Sequence, residues 1–345
     1  MQDVLSIIEK VAPDIMDTLR GRYQILRNIY LVGPVGRRVL AGKMNITERV
    51  LRTEVDALKK QNLVQTSKLG MQLTANGEIV YHELDQMMGQ LLGMRAKENQ
   101  LATYFQIEHC VIVSGDSEEQ AKVQEELSRA TMDALKLLLP EGNNIVAVMG
   151  GTTMAEVANH MDESLSYHRE LVFVPARGGL GEAVDIQANA VSAQMAKKTG
   201  GKNRVLYVPE QVSEETYKPL LQEPEIKKTL KLVKQANCVL YSIGNALHMA
   251  ERRGMSQEAL ALIKEKAAVG EAFGEFYNQK GEVVYKIPRI GMQSQDLAQI
   301  SSVIAIAGGK SKAEAIEAYM KRAPAQTWLI TDEGAANQIL RGITL

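Results

Sequence analysis

An α/β fold in two parts is predicted: a small, mostly α N-terminal module ending in a β-wing, followed by a larger Rossmann-like module on a parallel sheet. Three observations predict it. Residues 20–68 carry eleven Lys or Arg against three acids, a local +8 in a chain whose net charge is −1. The same window reads as helix, turn, helix and wing. From Cys110 onward, short apolar runs alternate with amphipathic stretches, the pattern of a parallel sheet covered on both faces.

The N-terminal MQDVLSIIEK is acidic and amphipathic, unlike a basic leader followed by an apolar core. No apolar run approaches the ~20 residues that span a bilayer, so a cytoplasmic chain without membrane contact is expected. In GPVGRRVLAGK (33–43), Pro34 stands near a helix start and Val35, Val39 and Leu40 follow at helical spacing, which predicts a short first helix. Asn45-Ile46-Thr47 turns the chain and supplies a cap. A second helix over 48–61 buries Leu51, Val55 and Leu58, leaving Arg49, Arg52, Thr53, Asp56 and Lys59 on the other side. Two short extended runs in 62–74, with Leu63, Leu69 and Leu73 as their apolar residues, form the wing about Ser67-Lys68-Leu69-Gly70.

Charge and spacing together point to duplex DNA. A helix-turn-helix module inserts the N-terminal half of its second helix into the major groove and takes its register from flanking phosphates. The side chains expected at that interface are Arg37, Arg38, Arg49, Arg52, Thr53, Lys59 and Lys68.

Beyond the wing, Val80, Leu84, Met87, Leu91 and Met94 follow a 4-3-4-3 step, and Leu101 resumes it. This is a short coiled-coil stripe, and two recognition helices on one duplex require a dimer, so self-pairing is expected here. The domains expected are a winged helix-turn-helix over 1–74, a linker helix over 75–105 and a ligand-binding and oligomerisation domain over 106–345. The two cysteines, Cys110 and Cys238, head apolar runs and read as buried thiols, and the five histidines show no paired spacing. Neither a metal nor a cofactor is expected.

In the larger part the strands read are 110–115, 145–150, 171–176, 205–210, 239–244, 303–308 and 328–332. Helices fall at about 118–139, 154–162, 187–198, 218–235, 256–267, 312–322 and 334–341. In such sheets ligands bind at the carboxyl ends of the strands, so the loops after them carry the chemistry. MGGTTMAE (149–156) places two glycines and two hydroxyls at a helix start. PARGGLGEAVDIQ (175–187) places Arg177 beside Gly178 and Gly179, and AGGKSKAEA (307–315) places Lys310 and Lys312 at another helix start. Each loop can cradle an anion, and together they favour a phosphorylated ligand. AGGKS is not a P-loop, since Ile304 stands where its first glycine belongs. GGLGEAV has Val184 in place of a final glycine, so no dinucleotide fingerprint is present.

MGGTTMAEVA, PARGGLGEAVDIQANAVSAQMA, SIGNALHMAERRG, GEAFGEFYNQKGEVV, AGGKSKAEAIEAYMK and WLITDEGAA, in that order, resemble the effector domain of SorC/DeoR-type bacterial sugar-responsive repressors. ERVLRTEVDALKKQNLV is similar to that family's recognition helix, and the resemblance covers nearly the whole chain. It implies a repressor of glycolytic genes, a homo-oligomer (dimer or tetramer) on operator DNA, released by fructose-1,6-bisphosphate. It places effector contacts on Thr152, Thr153, Arg177, Gly178, Gly179, Gln187, Arg252, Glu271 and Lys312, with Arg253 adjacent to Arg252. The effector fold is in turn similar to sugar-phosphate isomerases and glucosamine-phosphate deaminases. The alternative is therefore an isomerase or deaminase with a DNA-binding appendage, using Glu271, Asp185 or His248 as base. A sensor needs its ligand unchanged, so no catalytic residue is expected.

Overall fold

The computed structural model of the chain describes residues 8, 11–44, 46–91, 94–179, 183–210 and 212–343. The readings made on Asn45, on most of MQDVLSIIEK and on the Leu91 side chain lie outside the described residues. The chain forms two compact units, one of residues 1–97 with 120–122, the other of 98–119 with 123–345.

The first unit opens with a long helix that the sequence reading did not resolve, α1 (Pro13–Val32), with proline at its start. It buries Met16, Tyr23, Leu26, Ile29 and Tyr30. Then follow α2 (Arg37–Lys43), α3 (Glu48–Lys60), the strands β1 (Val64–Ser67) and β2 (Gly70–Leu73), and α4 (Ala75–Leu91). The helix-turn-helix and wing are as expected. Thr47 caps α3 by accepting from the Val50 N–H, and Leu51, Val55 and Leu58 are buried. Burying each stabilises the unit by roughly 1.5–3 kcal/mol relative to exposure.

Three apolar positions differ from expectation. Val39 is exposed, because α2 starts only at Arg37 and turns Leu40 and Ala41 inward instead. Val35 lies ahead of α2 and pairs with Met71 of the wing through two backbone hydrogen bonds of 3.0 and 2.8 Å. Leu69 is exposed, since it sits in the two-residue turn joining strands that pair Ser67 with Gly70.

In α4 the packed face is Tyr81 and Met88, one residue on from the predicted stripe. Tyr81 stacks on Tyr30 with ring centroids 4.6 Å apart, and the Tyr23 hydroxyl donates to Asp85 at 2.6 Å. Val80, Leu84 and Met87 are half-buried instead. Past α4 comes α5 (Met94–Phe105), in which Met94 and Leu101 are buried.

The second unit is a seven-stranded parallel sheet in the order β3-β13-β12-β7-β4-β5-β6. Its strands are β3 (His109–Val113), β4 (Gly142–Val148), β5 (Arg169–Pro175), β6 (Lys202–Asn203), β7 (Cys238–Tyr241), β12 (Ser302–Ile306) and β13 (Thr327–Asp332). Its helices in chain order are α6 (Ala121–Leu138), α7 (Thr152–Asn159), α8 (Ala188–Thr199), α9 (Glu214–Gln222), α10 (Pro224–Lys234), α11 (Ala246–Arg252), α12 (Gln257–Glu265), α13 (Ala313–Met320) and α14 (Glu333–Gly342). Val146, Val148, Phe173, Leu240, Ile304 and Ile330 form the core, and the apolar runs are buried on both faces as read.

VLYVPE (205–210) is not a strand. Its residues alternate, with Leu206 and Val208 buried against Ile290 while Val205 and Tyr207 stay exposed. Pro209 has no N–H to donate to a ladder. The sixth strand is the two-residue β6 just before it. The stretch 218–235 is two helices rather than one, because Pro224 cannot extend α9 and instead starts α10. A four-stranded antiparallel sheet was not anticipated: β8 (Gly244–Asn245), β9 (Ala268–Ala272), β10 (Glu275–Asn278) and β11 (Val283–Lys286), in the order β11-β10-β9-β8. Strand β8 follows β7 directly, which sets this small sheet at the carboxyl edge of the large one.

Candidate functional site

The carboxyl ends of β4, β5, β7 and β12 open onto one crevice of about 360 Å³. Gly150 lies so close to the Ile186 carbonyl and the Arg177 guanidinium that a Cβ would meet them at 2.6 and 2.8 Å, and Gly151 has φ 124°. These glycines bring the backbone up against its neighbours at the start of α7, whose first turn has no side-chain cap. The orphan amides of that turn and the positive end of the helix therefore belong to the crevice, where Thr152 and Thr153 stand.

Arg177 lines the same crevice and is buried. Beside it, Arg253 donates to Glu271 Oε1 at 2.9 Å and also pairs with Glu210, which holds Arg289 at 3.1 Å. Glu271 Oε1 further accepts the Gly274 N–H at 2.7 Å. Arg253 and Arg289 thus pair with Glu210 and Glu271 in one buried network, and Arg177 lies near enough to act on Arg289. Burial pushes the Arg289 guanidinium below its ordinary value, with Arg253 and Arg177 adding to the shift against the pull of Glu210 and Glu271. The residue holding Glu271 is Arg253, the neighbour of Arg252.

The glycine loop after β12 differs from expectation. The Gly309 N–H donates to Asp332 at 2.6 Å, and the Ser311 N–H to Glu118 at 3.0 Å. The chain's own carboxylates occupy those amides, so the loop backbone is not an open anion cradle. Its contribution to the crevice is Lys312. Burial lowers the Lys312 pKa, and Arg252 lowers it further, while Glu118 and Asp332 act in the other direction.

The structure brings Thr152, Thr153, Arg177, Arg252, Glu271 and Lys312 into one crevice, and leaves Gly178, Gly179 and Gln187 off its wall. A Cβ at Gly178 would meet the Val208 carbonyl at 2.6 Å, and the Gly179 N–H donates to that carbonyl at 2.8 Å, so this pair docks the 204–210 segment. Gln187 precedes α8, and Leu180, Gly181 and Glu182 of the same loop lie outside the described residues. Asp185 is exposed in a 3₁₀ turn away from the crevice wall.

Asn245 and Phe273 line the crevice and were missed, and His248 and Arg253 stand beside them. Phe273 and Gly274 both have positive φ, 56° and 74°, in the tight turn between β9 and β10. A phenylalanine held there is strained, and the strain places its ring in the crevice wall. The signal in the sequence was Gly274, a turn residue after Phe273, between stretches whose apolar pattern Glu271 and Glu275 interrupt. Among the described residues no group of three His, Cys, Asp or Glu could hold a metal.

In the first unit, Arg37, Arg38, Arg49, Arg52, Thr53, Lys59 and Lys68 are all exposed. Lys59 reaches the wing, donating to Thr66 at 3.0 Å, and Arg52 lies 3.8 Å from Asp56. The Lys59 bond ties α3 to the wing, and the exposed cations of both lie on the first unit's surface. Glu54 turns away to pair with Arg22 of α1 at 2.8 Å. Among the described residues no helix is long and apolar enough to cross a membrane.

The model of the CggR N-terminal DNA binding domain matches residues 18–88, and that of the sugar-binding domain family Sugar-bind matches 90–341. The chain is 45% identical over 99% of both lengths to the central glycolytic genes regulators of Priestia megaterium and of Bacillus subtilis. A solved SorC family transcriptional regulator from Enterococcus faecalis is 57% identical over 71% of this chain and 99% of that one, with a TM-score of 0.68. All three are named as regulators rather than enzymes. With a basic helix-turn-helix in one unit and a cationic strand-end crevice in the other, the chain belongs to the central glycolytic genes regulator family, DNA-binding transcriptional regulators of the SorC/DeoR type.

Proposed function

We propose that this regulator represses glycolytic genes in the cytoplasm by binding operator DNA, and that fructose-1,6-bisphosphate releases it. The observation that carries the reading is the convergence of the uncapped α7 start, Arg177 and Lys312 on one crevice. A bisphosphate brings two dianions to it. One suits the amides and hydroxyls of Thr152 and Thr153, the other the cations Lys312 and Arg252, with Arg177 within the same wall. Glu271 acts as acceptor and as partner of Arg253 rather than as a base. Gly178, Gly179 and Gln187 support the loop that carries Arg177. A ligand that ties several strand ends together changes DNA affinity only through its differential affinity for two conformations.

Self-pairing is part of the reading. Val80, Leu84 and Met87 of α4 line an open groove of about 380 Å³ with Leu19, Leu26 and Leu58. A second copy would close it, placing two recognition helices on one duplex. Residues 1–74 then read DNA, 75–105 pair, and 106–345 sense the effector. The test is operator binding by the full chain across fructose-1,6-bisphosphate, fructose 6-phosphate and glucose 6-phosphate. The bisphosphate should weaken binding at concentrations where the monophosphates do not; equal responses to all three would contradict the reading.

A further inference from the structure

The recognition helix carries a feature that its basic side chains do not explain. Val50, in the first turn of α3, is 51% exposed. It lies outside the buried stripe of Leu51, Val55 and Leu58. One turn further on, Thr53 donates its hydroxyl to the Arg49 carbonyl at 3.2 Å. That bond commits the hydroxyl proton to the helix, so what Thr53 can offer a partner is an acceptor oxygen and its methyl. Ala57 continues the line at the next turn, so positions 50, 53 and 57 form a narrow strip of methyl groups along the helix. Exposed Arg49 and Arg52 flank it. An apolar strip between two cations at the start of a recognition helix matches one chemical object in the major groove. The 5-methyl of thymine projects there beside phosphates that the arginines can reach, and apolar side chains discriminate that base by covering it.

We propose that Val50 is a specificity-determining residue that reads the methyl group of a thymine in each operator half-site, with Thr53 alongside it. This rests on the DNA-binding reading of the N-terminal unit. Phosphate contacts give affinity that many sequences share, whereas Val50 separates thymine from cytosine at one step.

The experiment uses the full-length protein and a duplex selected by it from a randomised library. Each thymine of that duplex is replaced in turn by uracil, which deletes only the methyl. Burial of one methyl is worth ~0.8 kcal/mol, so at one thymine per half-site the uracil duplex should bind about fourfold more weakly. Val50→Ala should bind the thymine and uracil duplexes equally at that position while keeping the wild-type response elsewhere. Alanine is the better helix former, so the variant keeps α3. Thr53→Ser, which removes the neighbouring methyl, should retain the response at that thymine. No thymine whose methyl matters, a response that persists in Val50→Ala, or one that vanishes in Thr53→Ser and not in Val50→Ala would each overturn the assignment. Failure to select any duplex would instead overturn the DNA-binding reading beneath it.

Discussion

Arg253 and Glu271 meet at 2.9 Å in the wall of the strand-end crevice, and the same guanidinium reaches Glu210, which in turn holds Arg289. The pairs join four separate pieces of chain: the 204–210 segment, the end of α11, strand β9 and the segment after β11. Breaking one pair leaves a charge buried with no counter-ion. Replacing Arg253 by methionine should therefore destabilise the second unit by about 3–5 kcal/mol. Denaturant unfolding of wild type and Arg253→Met checks this, and a loss under about 1 kcal/mol would mean the network relaxes around the change.

Acid stability should carry the mark of Glu275. Burial pushes its carboxyl up, but Lys286 at 2.8 Å, Ser294 at 2.7 Å and Arg322 at 3.4 Å outweigh that and hold it below the ordinary carboxylate range. A carboxylate depressed in the folded state stabilises above its unfolded value of about 4.5 and loses that contribution as pH falls through the folded value. Wild type should then lose stability below about pH 4.5 more steeply than Glu275→Gln. Parallel stability curves over that range would show that the carboxylate adds nothing.

Much of this was legible in the sequence, and the gaps have physical reasons. The β4, β7, β12 and β13 runs were plain because a strand buried on both faces leaves an unbroken apolar string. VLYVPE has the same composition, down to the Val-Pro pair that also ends the true strand β5, yet its residues pack on a side loop. The antiparallel sheet was unreadable because its strands hold charged residues such as Glu271 and Glu275 that are buried in pairs, which hides the apolar pattern. Arg177 and Lys312 stood out beside glycines. Arg253 did not, since choosing between adjacent arginines requires knowing which faces Glu271. The third glycine loop misled because its amides bind Asp332 and Glu118, carboxylates remote in sequence.

The DNA face should respond to salt and to single cations in different ways. Lys68 is exposed at the wing turn and reaches a phosphate in this account. Lys68→Ala should weaken all duplexes alike and reduce the slope of log affinity against log salt by about 1. Arg52→Ala should cost roughly 1–3 kcal/mol on a selected site and relax preference at one base pair. Titrations at several salt concentrations on selected and scrambled duplexes separate the two; binding that ignores salt would contradict the electrostatic footprint.

Leu84→Lys with Met87→Lys should lower the assembly state by sedimentation and weaken operator binding, because both side chains line the open groove of the first unit. The second unit should keep its fold by circular dichroism. An unchanged assembly state would mean the groove is not where two copies meet.

The most direct measurement of the central claim is operator affinity as a function of fructose-1,6-bisphosphate for wild type and Arg177→Ala. The crevice account expects the ligand to weaken wild-type binding while the variant, binding DNA nearly as well without ligand, fails to respond over the same range. A variant that responds at wild-type concentrations would contradict it.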